Sequence, residues 1–482
     1  MTLKRHILSK STFIRGMQCP KSLYLHKKRP FLRDRISAEQ LAKFKRGTDV
    51  GVLARDLFPG GVDMSPRSPS QYQKKVLETQ QAINNHDIDV IYEAVFQYDD
   101  TLIMLDILVR DANQWKAYEV KSSRALSETY YTDASLQYYV LHGSGLDVAD
   151  FCLIYINQDY ELIGQIELQK LFKFQSVLEY VKTQSDFISG QISKLKETLQ
   201  LKNSPKVPVG WHCNKPYPCD FIGHCWKDVP HPHIFKLTAF DPKLIATCAE
   251  KGLYSVDQID GLQAKNEIQK AQLKALATNS KTYDSKQLEQ LISPINMAET
   301  AFLKVLLHAP AVPQIEHTKP YQLLPLALSW IEENEDKTNF FVIEQDNLAS
   351  LISFSNHLIE LARTHRFLIT DDASGLHEFI KGAKNLLPAN IYTGLSEIEI
   401  RLVGIRQLLE AINFFHPEVD APGTLDQYAT ALLQQDVRLR DEVLIIPEIL
   451  TSCHDVNLKI SKDILSDHTL TIRQLYKKIK SW

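Results

Sequence analysis

A carboxylate inside an apolar stretch, followed one short turn later by an acidic–basic pair, gives this sequence its clearest chemistry. Residues 91–123 read IYEAVFQYDDTLIMLDILVRDANQWKAYEVKSS. Asp106 falls within an otherwise apolar run, where a lone carboxylate costs several kcal/mol unless it is paired or binds a cation. Glu119 and Lys121 are two apart, so in a strand they share one face while Val120 points to the other. A hairpin about residues 111–113 would set Asp106 beside Glu119. Glu93, one strand earlier, offers a further oxygen, and Gln137 on the following helix can reach a bound water or a metal's outer shell. Two carboxylates and a lysine at one point suit phosphodiester hydrolysis: oxygen ligands hold Mg²⁺ or Mn²⁺, the metal activates a water and offsets phosphate charge, and Lys121 orients that water or stabilises the transition state. The plainer alternative is a surface Glu119–Lys121 salt bridge and a satisfied core Asp106. An E-x-K triplet is common by chance; joined to Asp106, a hairpin-sized gap and the downstream Q-Y-Y, it is far rarer.

Cysteine spacing marks a second site. Cys213, Cys219 and Cys225 have five residues between neighbours in the loop WHCNKPYPCDFIGHCW. Three such cysteines imply a metal site lacking one ligand, and Cys19, in MQCPKSLYLH, is the fourth candidate. A site of this kind would clip the start of the chain to the loop. Four thiolates fit zinc or an iron–sulfur cluster, and His212 or His224 could replace one ligand of a zinc ion. Cys152, Cys248 and Cys453 sit singly and read as packing residues. The odd total of seven argues against a disulfide framework.

The elements that must position these groups can be read in outline. Residues 11–58 form helices broken near Lys27–Pro30. Strands follow at Val90–Phe96, Thr101–Arg110, Gln114–Val120 and Phe151–Ile156, with Asp99-Asp100 and Asp111-Ala112-Asn113 as turns. A helix is expected over Thr132–His142, and a long amphipathic helical stretch over Leu168–Lys202. Short helices occupy 235–296, where Lys251-Gly252 and Asp260-Gly261 suggest helix–hairpin–helix breaks. From about Ala301 a second α/β region begins, with strands at Asn339–Glu344 and Phe367–Thr370 and helices after Leu395.

Composition sets the frame. Hydrophobic residues make up 44% and charged residues 23% of the 482, as in globular proteins. No apolar run reaches the ~18 residues of a membrane span, and no secretory h-region follows the basic start, so no membrane partner and a cytoplasmic setting are expected. Residues 1–60 hold 14 Lys/Arg against 4 Asp/Glu, a plausible phosphate-binding footprint.

Taken together, MQCPKSLYL, GTDVGVLARDLFPGG, IYEAVF, LDILVR, YEVKSS, DASLQYYVLHGSGL and the cysteine loop resemble the RecB-like branch of PD-(D/E)XK nucleases that carries an iron–sulfur cluster, a branch that includes CRISPR adaptation nucleases. The likeness is closer still to a bacterial family of unknown function that joins this module to a DnaQ-like, RNase H-fold exonuclease domain. The resemblance implies a 4Fe-4S cluster on Cys19, Cys213, Cys219 and Cys225 rather than zinc. It also implies single-stranded DNA or DNA ends as substrates. Two departures stand out: the first cysteine interval is five residues where the best-known members have two, and Gly47–Gly51 lacks the histidine that often supplies a metal ligand.

In the second half, FLKVLLHAPAVPQIEHTKPYQLLPLALSW resembles the first strand and following loop of the exonuclease domain. Active relatives carry an Asp-x-Glu pair there; this chain has Lys304 and Leu306. In SDHTLTIRQLYKK, His468 takes the place of the last catalytic Asp, with Asp467 adjacent. Two-metal chemistry is not credible without those carboxylates.

The expected fold is therefore α/β, with a restriction-endonuclease-like nuclease core and helical flanks over residues 1–232, a helical connector over 233–296, and a degenerate RNase H-like domain over 297–482. The expected function is metal-dependent DNA cleavage in repair or phage defence, with partner proteins engaged through the C-terminal domain. The rival is a catalytically inactive nucleic-acid-binding or scaffold subunit of a larger nuclease complex.

Overall fold

The computed structural model describes residues 6–259, 263–343, 347–420, 423–451 and 459–482. Asp260-Gly261, Glu344 and Cys453 lie outside the described residues. The chain divides into two compact α/β units: 1–160 with 165–228, and 229–482 with 161–164. The division at Asp228/Val229 falls four residues before the expected boundary.

The first unit opens with β1 (Leu8–Ser9), α1 (Lys10–Gln18), α2 (Pro20–Lys28) and α3 (Ala38–Arg55). β2 (Val62–Asp63) and α4 (Tyr72–Asn84) lead into β3 (Val90–Tyr98), β4 (Thr101–Asp111) and β5 (Gln114–Lys121). α5 (Glu128–Gly143) then crosses to β6 (Val148–Ile156). The sheet order is β2-β3-β4-β5-β6-β7, with β1 added to β4. β3, β4 and β5 run antiparallel, while β6 returns parallel to β5, as a helical crossover requires.

Local sequence explains the hairpins. Asp99 and Asp100 both have positive φ, 48° and 55°, the conformation of a two-residue turn whose twist matches the strands; Asp tolerates it better than most residues. β4 reads as a nearly continuous apolar run because both its faces are covered: Leu102, Ile103, Leu105, Ile107 and Leu108 are all buried.

The stretch 168–202 is not one helix. A single turn at Leu168–Leu171 is followed by β7 (Phe172–Ser176), then α6 (Leu178–Thr183) and α7 (Ser185–Gln200). β7 pairs antiparallel with β6, from Cys152↔Ser176 to Ile156↔Phe172. Otherwise β6 would present an unpaired edge, and that demand overrides a helical spacing of apolar residues. Phe174 adds an edge-on contact to Tyr118 at 6.2 Å.

The second unit places α8 (Pro242–Glu250), α9 (Glu267–Thr278) and α10 (Ser285–Ile292) before its sheet. Its strands are β8 (Thr300–His308), β9 (Leu324–Glu332), β10 (Asn339–Val342), β11 (Phe367–Thr370) and β12 (Leu402–Gly404). The order is β10-β9-β8-β11-β12: the β8–β9–β10 meander is antiparallel, and β11 is parallel to both neighbours. Helices dominate after Leu395, as expected, with the short β12 among them; three residues carry too little periodicity to announce a strand. α11 (Lys459–Lys480) packs on β8 and β9. The connector is not a separate piece, because Leu288 and Ile295 share a core with Ile405, Leu409, Ile472 and Tyr476. Among the described residues no helix is long and apolar enough to cross a membrane.

Candidate functional site

Strand register brings three carboxylates into one row. Tyr92 pairs with Ile107 and Ala94 with Leu105, which sets Glu93 opposite Asp106. The β4–β5 pairing ends at Ile107↔Tyr118, and Asp106 and Glu119 occupy the next rung. There the Asp106 side chain replaces the ladder, its Oδ2 accepting from the Val120 N–H at 2.6 Å. Lys121 shares the face of Glu119, with Nζ 2.7 Å from Oε1. Asp106, Glu119 and Lys121 thus meet, and Glu93 stands one strand away. Glu93 has a φ of 50°, a left-handed conformation that costs a non-glycine residue about 1–3 kcal/mol and that concentrates at working sites.

Three further residues complete the cluster, and sequence reasoning missed all of them. Lys10, the first residue of α1, lies 2.7 Å from the same Glu119 oxygen. Asp133 of α5 grips Lys121 at 2.5 Å. Arg55, at the end of α3, reaches Glu93 at 3.2 Å and Asp63 at 3.0 Å. Tyr130, Asp133 and Gln137 fall at helical spacing on one face of α5. The Lys121 ammonium sits 5.1 Å from the Tyr130 ring centroid. Gln137 is buried with neither amide atom hydrogen-bonded within the protein. Asp133 could have been found as the acidic residue one turn before Gln137. Lys10 carries no comparable signal, since its partner lies 109 positions away.

The charges do not balance locally. Burial would lower the Lys121 and Lys10 pKa values, but Asp133 and Glu119 for the first, and Glu119, Asp133 and Asp106 for the second, hold both ammoniums above the ordinary lysine range. The two lysines in turn outweigh burial at Glu119 and keep it ionised. Asp106 has no such partner: among the described residues it makes no ion pair, and burial, reinforced by Glu119, pushes it up to about 8. Burial also raises Glu93, despite Arg55. Glu119 Oε2 and Asp133 Oδ1 are buried without a hydrogen-bond partner. Unspent carboxylate oxygens around an uncompensated Asp106 fit a hard divalent cation. Among the described residues no three His, Cys, Asp or Glu side chains already close round a point as an ion cage; Lys10 and Lys121 occupy Glu119 instead.

Cys19, Cys213, Cys219 and Cys225 line a single small pocket, partly open to solvent and walled by Pro208, Val209, Phe221 and Ile222. Cys19 is the joint between α1 and α2, in an extended conformation. The loop is fastened to the first helices by polar contacts. Arg15 and Arg33 each hold Asp220 at 2.7 Å, and Gln18 Nε2 donates to the carbonyls of His212 and Tyr217 at 2.8 and 2.7 Å. Gly223 N–H donates to Asp34 at 2.9 Å, and a Cβ at Gly223 would meet Asp34 Oδ1 at 2.5 Å, so a side chain there would displace that carboxylate from its hydrogen bond. His212 also lines the cavity; hydrogen bonds to Cys19 and Cys213 push it up to about 10. His224 does not line it. Four cysteines lining one pocket suit either occupant that four thiolates take, although among the described residues their side chains do not already close round a point. Cys152 lies elsewhere, 3.1 Å from Asp150; burial and that carboxylate push its thiol up to about 12. Cys248 is packed in the α8–α9 core.

The second unit treats its carboxylates differently. Lys304 on β8 is buried, with Nζ 2.7 Å from Asp371 and 2.8 Å from Glu442. Burial alone would lower Lys304 and raise Asp371, but each overrides it in the other, so Lys304 is raised and Asp371 lowered. Leu306 is core. His468 is buried and donates from Nδ1 to the Ile464 carbonyl at 2.8 Å, within its own helix. Asp467 is exposed, 3.5 Å from Arg440. Sequence reading singled out neither Asp371 nor Glu442.

None of the protein-family models matches the chain, and none of the curated proteins does. Among solved structures it is similar to one described as "Crystal structure of SSO0001", at 12% identity over 47% of this chain and 88% of that one, with a TM-score of 0.23. A likeness at that level says nothing of function.

Proposed function

We propose that the first unit is a metal-dependent PD-(D/E)XK nuclease that hydrolyses DNA phosphodiester bonds, with single-stranded DNA or DNA ends as substrate, in repair or phage defence in the cytoplasm. The observation that carries this reading is the row Glu93–Asp106–Glu119, with Lys121 on the same face and Asp106 in no ion pair among the described residues, burial and Glu119 outweighing the more distant Lys10 and Lys121. Asp106 and Glu119 with Glu93 are the residues that would hold Mg²⁺ or Mn²⁺, which would supply an activated water and a counter-charge for the phosphate. Lys121 stays protonated between Asp133 and Glu119, so it serves as a donor that orients the water or the phosphate and not as a base. Lys10 adds a second ammonium facing the same carboxylate. Gln137 offers a free amide beyond Asp133.

We assign the four-cysteine cavity to a 4Fe-4S cluster; a zinc ion is the other occupant, and bound-metal analysis separates them. The second unit, with Lys304 midway along its central strand, serves binding or scaffolding. The test uses anaerobically purified protein on labelled single- and double-stranded DNA with Mn²⁺. Asp106→Ala and Lys121→Ala should each abolish cleavage while retaining the fold; full activity in both purified variants sinks the proposal. DNA binding by the unaltered protein with no cleavage under any divalent metal would make it a nucleic-acid-binding subunit instead.

A further inference from the structure

We infer that Lys10 is an internal stand-in for the metal of the proposed nuclease: its ammonium occupies the Glu119 oxygen that a divalent cation would take, and it must leave before the site can be loaded. That role rests on the reading of Glu119 as a metal ligand.

The start of α1 places the ammonium. β1 pairs with β4 through Leu8↔Thr101 and Ser9↔Leu102, so the backbone entering Lys10 is fixed on the strand that carries Asp106. Ser9 caps the helix, its hydroxyl accepting from the Thr12 N–H, and Lys10 is the first helical residue. No acidic residue stands in that first turn. A cation there faces the positive end of the helix dipole, where it is disfavoured, so helix formation gives no reason for lysine at this position. Glu119 does: Lys10 Nζ lies 2.7 Å from its Oε1.

Two ammoniums share that one oxygen, but they are held differently. Lys121 also has Asp133 at 2.5 Å and the Tyr130 ring centroid at 5.1 Å, and its side chain is 13% exposed. Among the described residues Lys10 has no ion-pair partner besides Glu119, and its side chain is 29% exposed. Lys10 is therefore the cation that can leave. Its four-carbon stem turns without moving the backbone, and its open side faces the solvent from which a divalent cation and a phosphate must both arrive. Glu119 Oε2 is buried without a hydrogen-bond partner, so the carboxylate keeps one ligand atom for that cation while the ammoniums hold the other. Two positive charges within a few ångströms of one oxygen oppose a third. A divalent cation binding Glu119 would repel Lys10 outward, where an arriving phosphate offers it a new partner.

The test titrates Mn²⁺ into the anaerobically purified full-length protein by calorimetry, without DNA, binding at this site being the part lost in Asp106→Ala. Lys10→Met keeps the stem and removes the charge; Lys10→Arg keeps the charge. Lys10→Met should bind Mn²⁺ about tenfold more tightly than the parent, since it lacks one of the two repelling charges, and Lys10→Arg should bind as the parent does. In the unaltered protein, saturating Mn²⁺ should speed modification of Lys10 by an amine-reactive reagent several-fold, read by mass spectrometry, and leave Lys121 protected. Equal Mn²⁺ affinity in Lys10→Met and the parent overturns the inference and leaves the metal site standing. Binding by Lys10→Met alone would support it most strongly. No Asp106-dependent binding, in the parent or in Lys10→Met, overturns the metal-ligand reading and the inference with it. Should Lys10→Met fail to fold, the unaltered protein decides: a Lys10 modification rate that bound Mn²⁺ does not raise overturns the inference.

Discussion

Both sheets of this chain gather carboxylates, and they settle the resulting charge in opposite ways. In the first, Glu93, Asp106 and Glu119 line one row, two lysines converge on Glu119, and Asp106 is left with a single backbone donor. In the second, the chain supplies its own cation: Lys304 stands between Asp371 and Glu442 and satisfies both. Desolvated carboxylates need a positive charge from somewhere. Where the chain supplies it covalently, the result is a fixed ion pair that contributes structure. Where the chain withholds it, the buried carboxylate takes up a proton or a solvent cation instead.

The largest expected effect tests the closed half of this contrast. Lys304→Met keeps the volume and strands Asp371 and Glu442 without their partner. Removing one side of a buried pair costs about 3–5 kcal/mol, so hydrogen exchange through β8 should accelerate strongly. The pH dependence has a definite sign. Asp371 is lowered in the folded state, so its stabilisation is present above the ordinary carboxylate range and is lost as pH falls through the folded value. That acid limb should vanish in the variant. A Lys304→Met protein as stable as its parent would mean that the ammonium is not what neutralises this site.

The open half should respond in the reverse sense. Asp106 is pushed up to about 8 when folded, against about 4 when unfolded. Between those values the folded protein holds a proton that the unfolded chain releases, so metal-free stability should fall as pH rises from about 4 to about 8. Asp106→Asn removes this liability while leaving an oxygen for the Val120 N–H. Calorimetry should find the variant equal to the parent near pH 5 and more stable by about 4 kcal/mol near pH 8.5, about 1.4 kcal/mol for each pH unit up to the folded value. Added Mn²⁺ should narrow the gap by stabilising the parent alone. A variant less stable than its parent at pH 8.5 without metal would show that Asp106 is already compensated.

What could be read from the sequence followed the range of the interactions. The β3–β4–β5 meander is local, so alternation and two short turns sufficed to place Asp106, Glu119 and Lys121 on it. The four cysteines could be grouped from the regular spacing of three in one loop, and the structure brings Cys19 to the same pocket. Lys10, Arg55 and Asp371 were not, since each acquires its meaning from a strand or helix tens of residues away and looks like any surface charge until then. β7 was misread because apolar residues spaced for a helix also serve an edge strand once β6 offers unpaired backbone groups.

The smallest predicted effect bears on the proposed reading of the second unit as an exonuclease-like domain in which His468 stands where a carboxylate is expected. If the last carboxylate of the second sheet had only shifted by one residue along α11, Asp467 would take over from His468 and face the Lys304 cluster. It does not. His468 is the buried residue of the two, and Asp467 points outward, about half exposed and 3.5 Å from an equally exposed Arg440. An exposed pair of that kind contributes at most about 1 kcal/mol and often nothing measurable. Asp467→Ala should therefore shift the unfolding midpoint by less than a degree or two and leave cleavage by the first unit untouched. A change as large as that of Lys304→Met would place Asp467 in the cluster after all and reopen the second unit as a metal site. A null result, beside a large one at Lys304, leaves the ion pair as the working content of that sheet.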